Sequence, residues 1–158
     1  MHKDVIMNLE KDFNHADEQL EILEILNNWL HHHIFNYKSP SAKICDPVSR
    51  PANNFRIITN KKKFDLYFRF GETWVKDGVK TIVIARIGFE KRRVGYGTSL
   101  LKLLTEIAIK FDYKYIAIES VNANSRAFAK KFGFEEHMNN NNYIISVNKL
   151  ASGLFTHV

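Results

Sequence analysis

The sequence predicts a single α/β (α+β) domain, a mixed central sheet flanked by helices. Three observations carry that prediction. Apolar residues recur at steps of three or four between residues 8 and 36, and again from Thr98 to Phe111, which is the spacing of amphipathic helices. Between them Phe64, Leu66, Phe68 and Phe70 alternate with Asp65, Tyr67 and Arg69, the period of a half-buried strand. The order of segments reads helix, three strands, helix, strand, helix, strand, and 158 residues at 45% hydrophobic and 25% charged content are enough for one core.

The elements follow in order. Residues 8–36 read as one long helix with room for one break. Leu9, Phe13, Ala16, Leu20, Leu23, Leu26, Leu30 and Ile34 form its stripe, and Ile22, Ile25 and Trp29 widen it. A stripe that wide suits packing on a sheet better than a narrow dimer seam, although a homodimer stays open. His31, His32 and His33 are adjacent, so their side chains diverge by about 100° each and do not converge on a metal; no metal site is expected. Residues 37–54 contain all three prolines, Pro40, Pro47 and Pro51, and read as a loop. Strands are expected at Phe55–Thr59, Phe64–Phe70 and Val79–Phe89, separated by turns at Asn60–Lys63 and Asp77-Gly78. A further strand, Tyr115–Val121, leads into a helix over Asn122–Phe132, with Asn122 as its N-cap and Gly133 just past its end. Asn139–Asn142 is a turn. Tyr143–Leu150 reads as the last strand, with room for a short additional one in the tail.

Bulk properties restrict the function classes. The single cysteine, Cys45, excludes an internal disulfide and agrees with a reducing compartment. The start lacks a cationic segment followed by a sustained apolar run, and no apolar stretch approaches the roughly 20 residues that span a bilayer. A cytoplasmic protein without a membrane segment is expected. A net charge of +6 and a pI near 9.4 favour a polyanionic or acidic partner, which covers nucleic acid, a membrane surface and a polyphosphate cofactor alike. The run Lys61–Lys63 reads as a solvated hairpin tip rather than a nucleic-acid patch.

One segment carries chemistry. A strand runs into Arg92-x-x-Gly95-x-Gly97 and a helix starts at once. The first turn of a helix leaves four backbone N–H groups unpaired, and the macrodipole adds about half a positive charge there. Glycines let that backbone approach phosphate oxygens, and Arg86, Lys91, Arg92 and Arg93 surround it against Glu90 alone. The segment is not a P-loop, since no Gly-Lys-Ser/Thr follows. Nor is it a dinucleotide fingerprint, since Leu100 stands where a third glycine would fall. By itself it also fits a plain strand-to-helix turn.

Two motifs together resemble the GNAT superfamily of N-acetyltransferases. The first is Gln/Arg-x-x-Gly-x-Gly/Ala between a strand and a helix, matched by Arg92, Gly95 and Gly97. The second is Asn-x-x-Ala/Ser-x-x-Phe-Tyr-x-Lys-x-Gly-Phe after the next strand, matched in register by Asn122, Ser125, Phe128, Lys131, Gly133 and Phe134. The resemblance spans roughly residues 55–150, a cofactor-binding core, and leaves 1–54 as a variable helical N-terminal part of the same domain. It implies an acetyl-CoA-dependent transfer of an acetyl group to an amine of a small molecule or protein. It also implies a sheet splayed between the strands ending near Phe89 and Val121. The backbone of Ile87, Gly88 and Phe89 would run along the pantetheine. Backbone amides of Arg92, Arg93, Val94, Gly95, Tyr96, Gly97 and Thr98 would hold the pyrophosphate, and Asn122 would touch the cofactor near its pantetheine.

The chain departs from that pattern once. The tyrosine that often serves these enzymes as general acid is Ala129 here. Either another group or water protonates the leaving thiolate, or the protein binds acyl-CoA and catalyses weakly, or the fold serves another purpose. Tyr143 and Tyr96 are the conceivable replacements. For a general base, Glu119 lies in the apolar strand Tyr115–Val121, three residues before Asn122, a placement that suits proton abstraction; a salt bridge is the plainer reading. Glu72 and Asp77 are less specific candidates. A competing function is a nucleic-acid or protein-interaction module, drawing on the basic charge and on Phe64, Tyr67, Phe68 and Phe70. The alternation of those phenylalanines reads as core instead. Nothing in the sequence names the acceptor.

Overall fold

Apolar periodicity places the first helix. α1 spans His2–Trp29 and passes into a π-helical turn, Leu30–Ile34. In the computed structural model, which describes residues 2–34, 41–45, 54–91, 94–119, 122–138 and 141–155, Ile22, Leu26, Trp29 and Leu30 are buried. Leu20, expected in the stripe, is 62% exposed. The buried face therefore takes Leu26 and Leu30 from the expected stripe and Ile22 and Trp29 from the residues that widen it, because the sheet and a second helix lie on that side. The side chains of Leu9, Phe13 and Ile34 lie outside the description.

Seven strands among the described residues form one mixed sheet: β1 (Lys43–Ile44), β2 (Asn54–Asn60), β3 (Phe64–Gly71), β4 (Thr81–Phe89), β5 (Tyr115–Ile118), β6 (Glu135–His137) and β7 (Asn142–Ser146). Their spatial order is β1-β2-β3-β4-β5-β7-β6. All neighbours are antiparallel except β4 and β5, which are parallel. That pair needs a crossover, and α2 (Tyr96–Phe111) supplies it. The remaining helices are α3 (Ala123–Lys131) and α4 (Val147–Phe155).

Residues directly opposite across the sheet share a face. One row, Phe68, Ile84, Ile118 and Tyr143, is buried with α1, α2, Ala129 of α3, and Val147 and Leu150 of α4 in a single cluster. The helices thus cover this face. The other row, Arg69, Val83, Ala117 and Ile144, faces away; Val83 and Ala117 are buried outside that cluster.

Three expectations are corrected. Residues 37–54 are not loop throughout: Lys43 and Ile44 pair with Ile58 and Ile57. Asn27 braces them, its Oδ1 accepting from Ser41 N–H and Ala42 N–H and its Nδ2 donating to the Ala42 carbonyl. The prolines of that segment lie outside the described residues. Glu135–His137 is a strand, hidden in the sequence by two glutamates on a short edge, which is where charge is tolerated. Finally, the last strand stops at Ser146, and Val147–Phe155 is a helix. Val147, Leu150 and Leu154 are spaced for one helical face and meet the core. Asn139 and Asn140 of the asparagine turn lie outside the description.

α1 is tied down by polar contacts as well as apolar ones. Glu18 pairs with Lys80 and accepts from the Tyr113 hydroxyl, and the Trp29 indole donates to Ser99 Oγ on α2 at 2.9 Å. No described helix is long and apolar enough to cross a membrane.

Candidate active site

The site begins at a bulge. Tyr67 pairs with Arg86 and Phe68 with Ile84, so Ala85 has no partner on β3. A bulge bends its strand and raises the local twist. This one falls immediately after Ile84, the last β4 residue paired with β5. The final bond between the two strands runs from Glu119 N–H to the Ile84 carbonyl at 3.0 Å. Beyond it β4 continues to Phe89, still paired with β3, while β5 has ended at Ile118. The sheet is splayed, as the sequence resemblance implies, and the split starts at Ile118; Val121 lies outside the described residues.

The backbone of β4 is oriented for a guest in that split. Glu90 N–H donates to the Lys63 carbonyl on the β3 side. Alternation along the strand then turns the N–H and C=O groups of Ile87 and Phe89 to the opposite edge, where β5 no longer runs. Gly88 pairs with Asp65 and lies on the β3 side.

The helix N-terminus stands beside this edge. α2 starts at Tyr96, two residues before the expected Thr98, with Gly95 as its N-cap. Gly95 has φ 86°, a left-handed conformation that an L side chain resists, and a Cβ there would meet nothing within 4 Å. Its cap has no side-chain hydrogen bond, and the first turn holds no acid. The first turn of α2 thus lies beside exposed Gly95 and Val94 with no side-chain cap, which fits an anionic group held by backbone. Arg92 and Arg93 lie outside the described residues. Gly97 has a different reason to be glycine. A Cβ on it would come to 2.9 Å from Cε2 of Phe128, so the Phe128 ring seats α3 against the start of α2. Tyr96 places its ring 5.4 Å from Phe89, at the mouth of the split.

α3 is closed at both ends by its own sequence. Asn122 Oδ1 accepts from Ser125 N–H and Ser125 Oγ accepts from Asn122 N–H, a reciprocal cap. At the other end Phe134 N–H donates to the Ala129 carbonyl and Gly133 N–H to that of Lys130, the paired bonds of a Schellman turn. Much of the second motif is thus explained by helix capping. Ala129, at the position of the resembled motif's tyrosine, is fully buried.

On the face away from the helices, Glu119 is half-buried at the start of the split. Its Oε2 accepts from Arg69 Nη1 at 2.5 Å and from the Trp74 indole at 2.9 Å. The salt bridge anticipated as the plainer reading is present, and Oε1 is left without a bond among the described residues. Trp74, 39% exposed, also lies 5.5 Å from the His137 ring. Sequence reading missed Arg69, Trp74 and His137; only the fold brings Arg69 and Trp74 to Glu119, and His137 to Trp74. Glu72 and Asp77 are exposed in the same connecting loop as Trp74. A cavity of about 300 Å³, lined by Tyr115, Glu135, His137, Ile144, Ser146 and Lys149 among others, reaches from His137 to the opposite end of β5, away from the split.

Residues 70–134 match the acetyltransferase (GNAT) family. No protein of curated function matches the sequence. Among solved structures, the KacTA–DNA complex is similar at 14% identity and a TM-score of 0.50, covering 85% of this chain and 86% of that one. Apo FdhC, a nucleotide-linked sugar GNAT, is similar at 12% identity and TM-score 0.47, covering 90% and 88%. AtaTR bound with AcCoA stands at 12% and 0.45, covering 61% and 68%. At these identities the likeness is one of fold.

Proposed function

We propose that this chain, of which residues 70–134 match the acetyltransferase (GNAT) family, is an acetyl-CoA-dependent N-acetyltransferase acting on a primary amine. The observation that carries this reading is the split of β4 from β5 beside the open N-terminus of α2. In it the backbone edge of Ile87 and Phe89 binds the pantetheine arm, with Gly88 between them. The amides from Arg92 to Thr98 hold the pyrophosphate, and Asn122 lies at the near end of α3. Acetyl-CoA supplies an activated acetyl thioester.

Positioning of an amine against that thioester accounts for much of the rate in such a reaction. The amine reaches it from the face that carries Glu119, Trp74 and His137. Arg69 and Trp74 fix Oε2 of Glu119, leaving Oε1 to take the amine's proton. The acceptor is a small molecule or a protein amine. The basic charge, +6, also suits an acidic or polyanionic partner.

Ala129 is the one observation that favours a second reading, a GNAT-fold acyl-CoA-binding or interaction module with weak or no catalysis, since it removes a proton donor from α3.

The test has two parts. Coenzyme A at a hundred times its Kd should stabilise the fold by about 2.7 kcal/mol, seen as a rise in Tm. Mass spectrometry of amine mixtures incubated with isotopically labelled acetyl-CoA should then show one acceptor class gaining the label. Stabilisation by nucleic acid and not by coenzyme A would overturn the enzyme reading.

A further inference from the structure

Ala129 leaves the transfer without an acid on α3, and the structure offers one phenol in its place. Tyr143 stands on β7 directly opposite Ile118, the last residue of β5 before the split. Its ring is 4% exposed and belongs to the cluster on the helix-covered face, as Ala129 does. Its hydroxyl has no hydrogen-bond partner among the described residues. Yet no side-chain oxygen or nitrogen of those residues is both sealed from solvent and unpartnered. The ring is therefore packed while its hydroxyl opens outward, the reverse of a structural tyrosine, whose hydroxyl finds a partner when buried.

The other described tyrosines are used or misplaced. Tyr67 lies on the opposite face, and its hydroxyl accepts from Arg56 at 3.2 Å. Tyr113 donates to Glu18. Tyr115 sits at the far end of β5 beneath Lys76. Tyr96 is engaged by a further interaction besides its ring contact with Phe89.

We propose that Tyr143 is the general acid of the transfer, its phenol protonating the thiolate of the departing coenzyme A. This rests on the reading that acetyl-CoA occupies the split. Two strand faces then divide the proton traffic. Glu119, on the exposed face, takes a proton from the amine as its nitrogen forms the new C–N bond. Tyr143, on the helix-covered face, gives its proton to sulfur as the C–S bond breaks and sulfur keeps the bonding pair. The phenolate recovers a proton from solvent, Glu119 returns one, and the products are an amide and a free thiol.

Tyr143→Phe tests this, because it keeps the ring and removes a hydroxyl that has no bond to lose. Its Tm should match the parent's, and calorimetry should give the same Kd for acetyl-CoA within about twofold. Acetyl transfer should fall by about 10²-fold. Independently of turnover, the thiol of bound coenzyme A, followed by thiolate ultraviolet absorbance, should titrate about one pH unit higher in the variant, since the phenol no longer hydrogen-bonds the thiolate. An unchanged rate and an unchanged thiol titration, with coenzyme A bound as in the parent, would assign the proton to water and overturn the proposal. If the parent itself fails to bind coenzyme A, the acetyltransferase reading falls first and this inference falls with it.

Discussion

Glu119 holds a salt bridge and is also the proposed base, two roles that are usually weighed against each other. Its salt bridge to Arg69 joins groups that keep 34% and 22% of their side-chain surface, so as an ion pair it is worth no more than about 1 kcal/mol. The same bridge and the Trp74 indole orient the carboxylate at the split. Glu119→Gln retains an oxygen that can accept from either donor but has no basic site. Its acetyl-transfer rate should drop by about 10²–10⁴ at neutral pH while coenzyme A affinity holds. A rate equal to the parent's would leave Glu119 as the ion-pair residue alone and pass the base role to solvent. Ala129 shows the converse. Its family position suggests chemistry, and its complete burial at the end of α3 shows packing.

At the scale of elements, the candidate site is a product of terminations. β5 stops at Ile118, β4 bulges at Ala85, and α2 begins on a left-handed Gly95. Each ending leaves backbone groups without partners, and these are what a pantetheine and a pyrophosphate can use. Substituting Gly97 is a poor probe of this, because Phe128 would clash whether or not a ligand is bound. Val94→Asp is a better one. Val94 is 54% exposed and precedes the cap. A carboxylate there complements the helix macrodipole, so the unliganded fold should keep its Tm or gain by about 0.3–1 kcal/mol. It would also repel a diphosphate at the same spot, and stabilisation by coenzyme A should largely vanish. Full retention of that stabilisation would place the pyrophosphate elsewhere.

Across the whole molecule, α1 is attached through a polar node as well as an apolar face. Tyr113, 2% exposed, donates to Glu18, which also pairs with Lys80, and the Lys80 ammonium lies 4.5 Å from the Tyr113 ring centre. Burial first, then the neighbouring Glu18 carboxylate, pushes the Tyr113 phenol well above its ordinary value of 10.0. The fold favours the neutral phenol. This contribution is intact below about pH 10 and is lost as the pH rises past that point. Denaturant unfolding should accordingly show stability falling with pH above about 10 more steeply in the parent than in Tyr113→Phe. Equal slopes would mean that the phenol is not confined as the structure has it. The variant should also be less stable at neutral pH, having lost its hydrogen bond to Glu18.

Local chemistry in this chain was legible from sequence wherever one segment settles its own structure. Asn122 and Ser125 cap α3 through neighbours three residues apart, and Gly133 with Phe134 closes it. The alternation over Phe64–Phe70 gives β3 its buried face, and Gly95 permits the turn into α2. Short edge elements were not legible, because β1 and β6 carry too few residues to show a period and exist only through pairing with β2 and β7. The same holds for the meeting of Glu119 with Arg69 and Trp74, of Trp74 with His137, and of Tyr143 with the end of β5. These residues come from separate strands and a loop, and pattern along a chain has no term for register across a sheet. Sequence alone therefore determined the glycine turn into α2 and the caps of α3, which are local backbone events. Only the tertiary structure decided which side chains face the split and from which side, since that depends on where each strand stops against its neighbour.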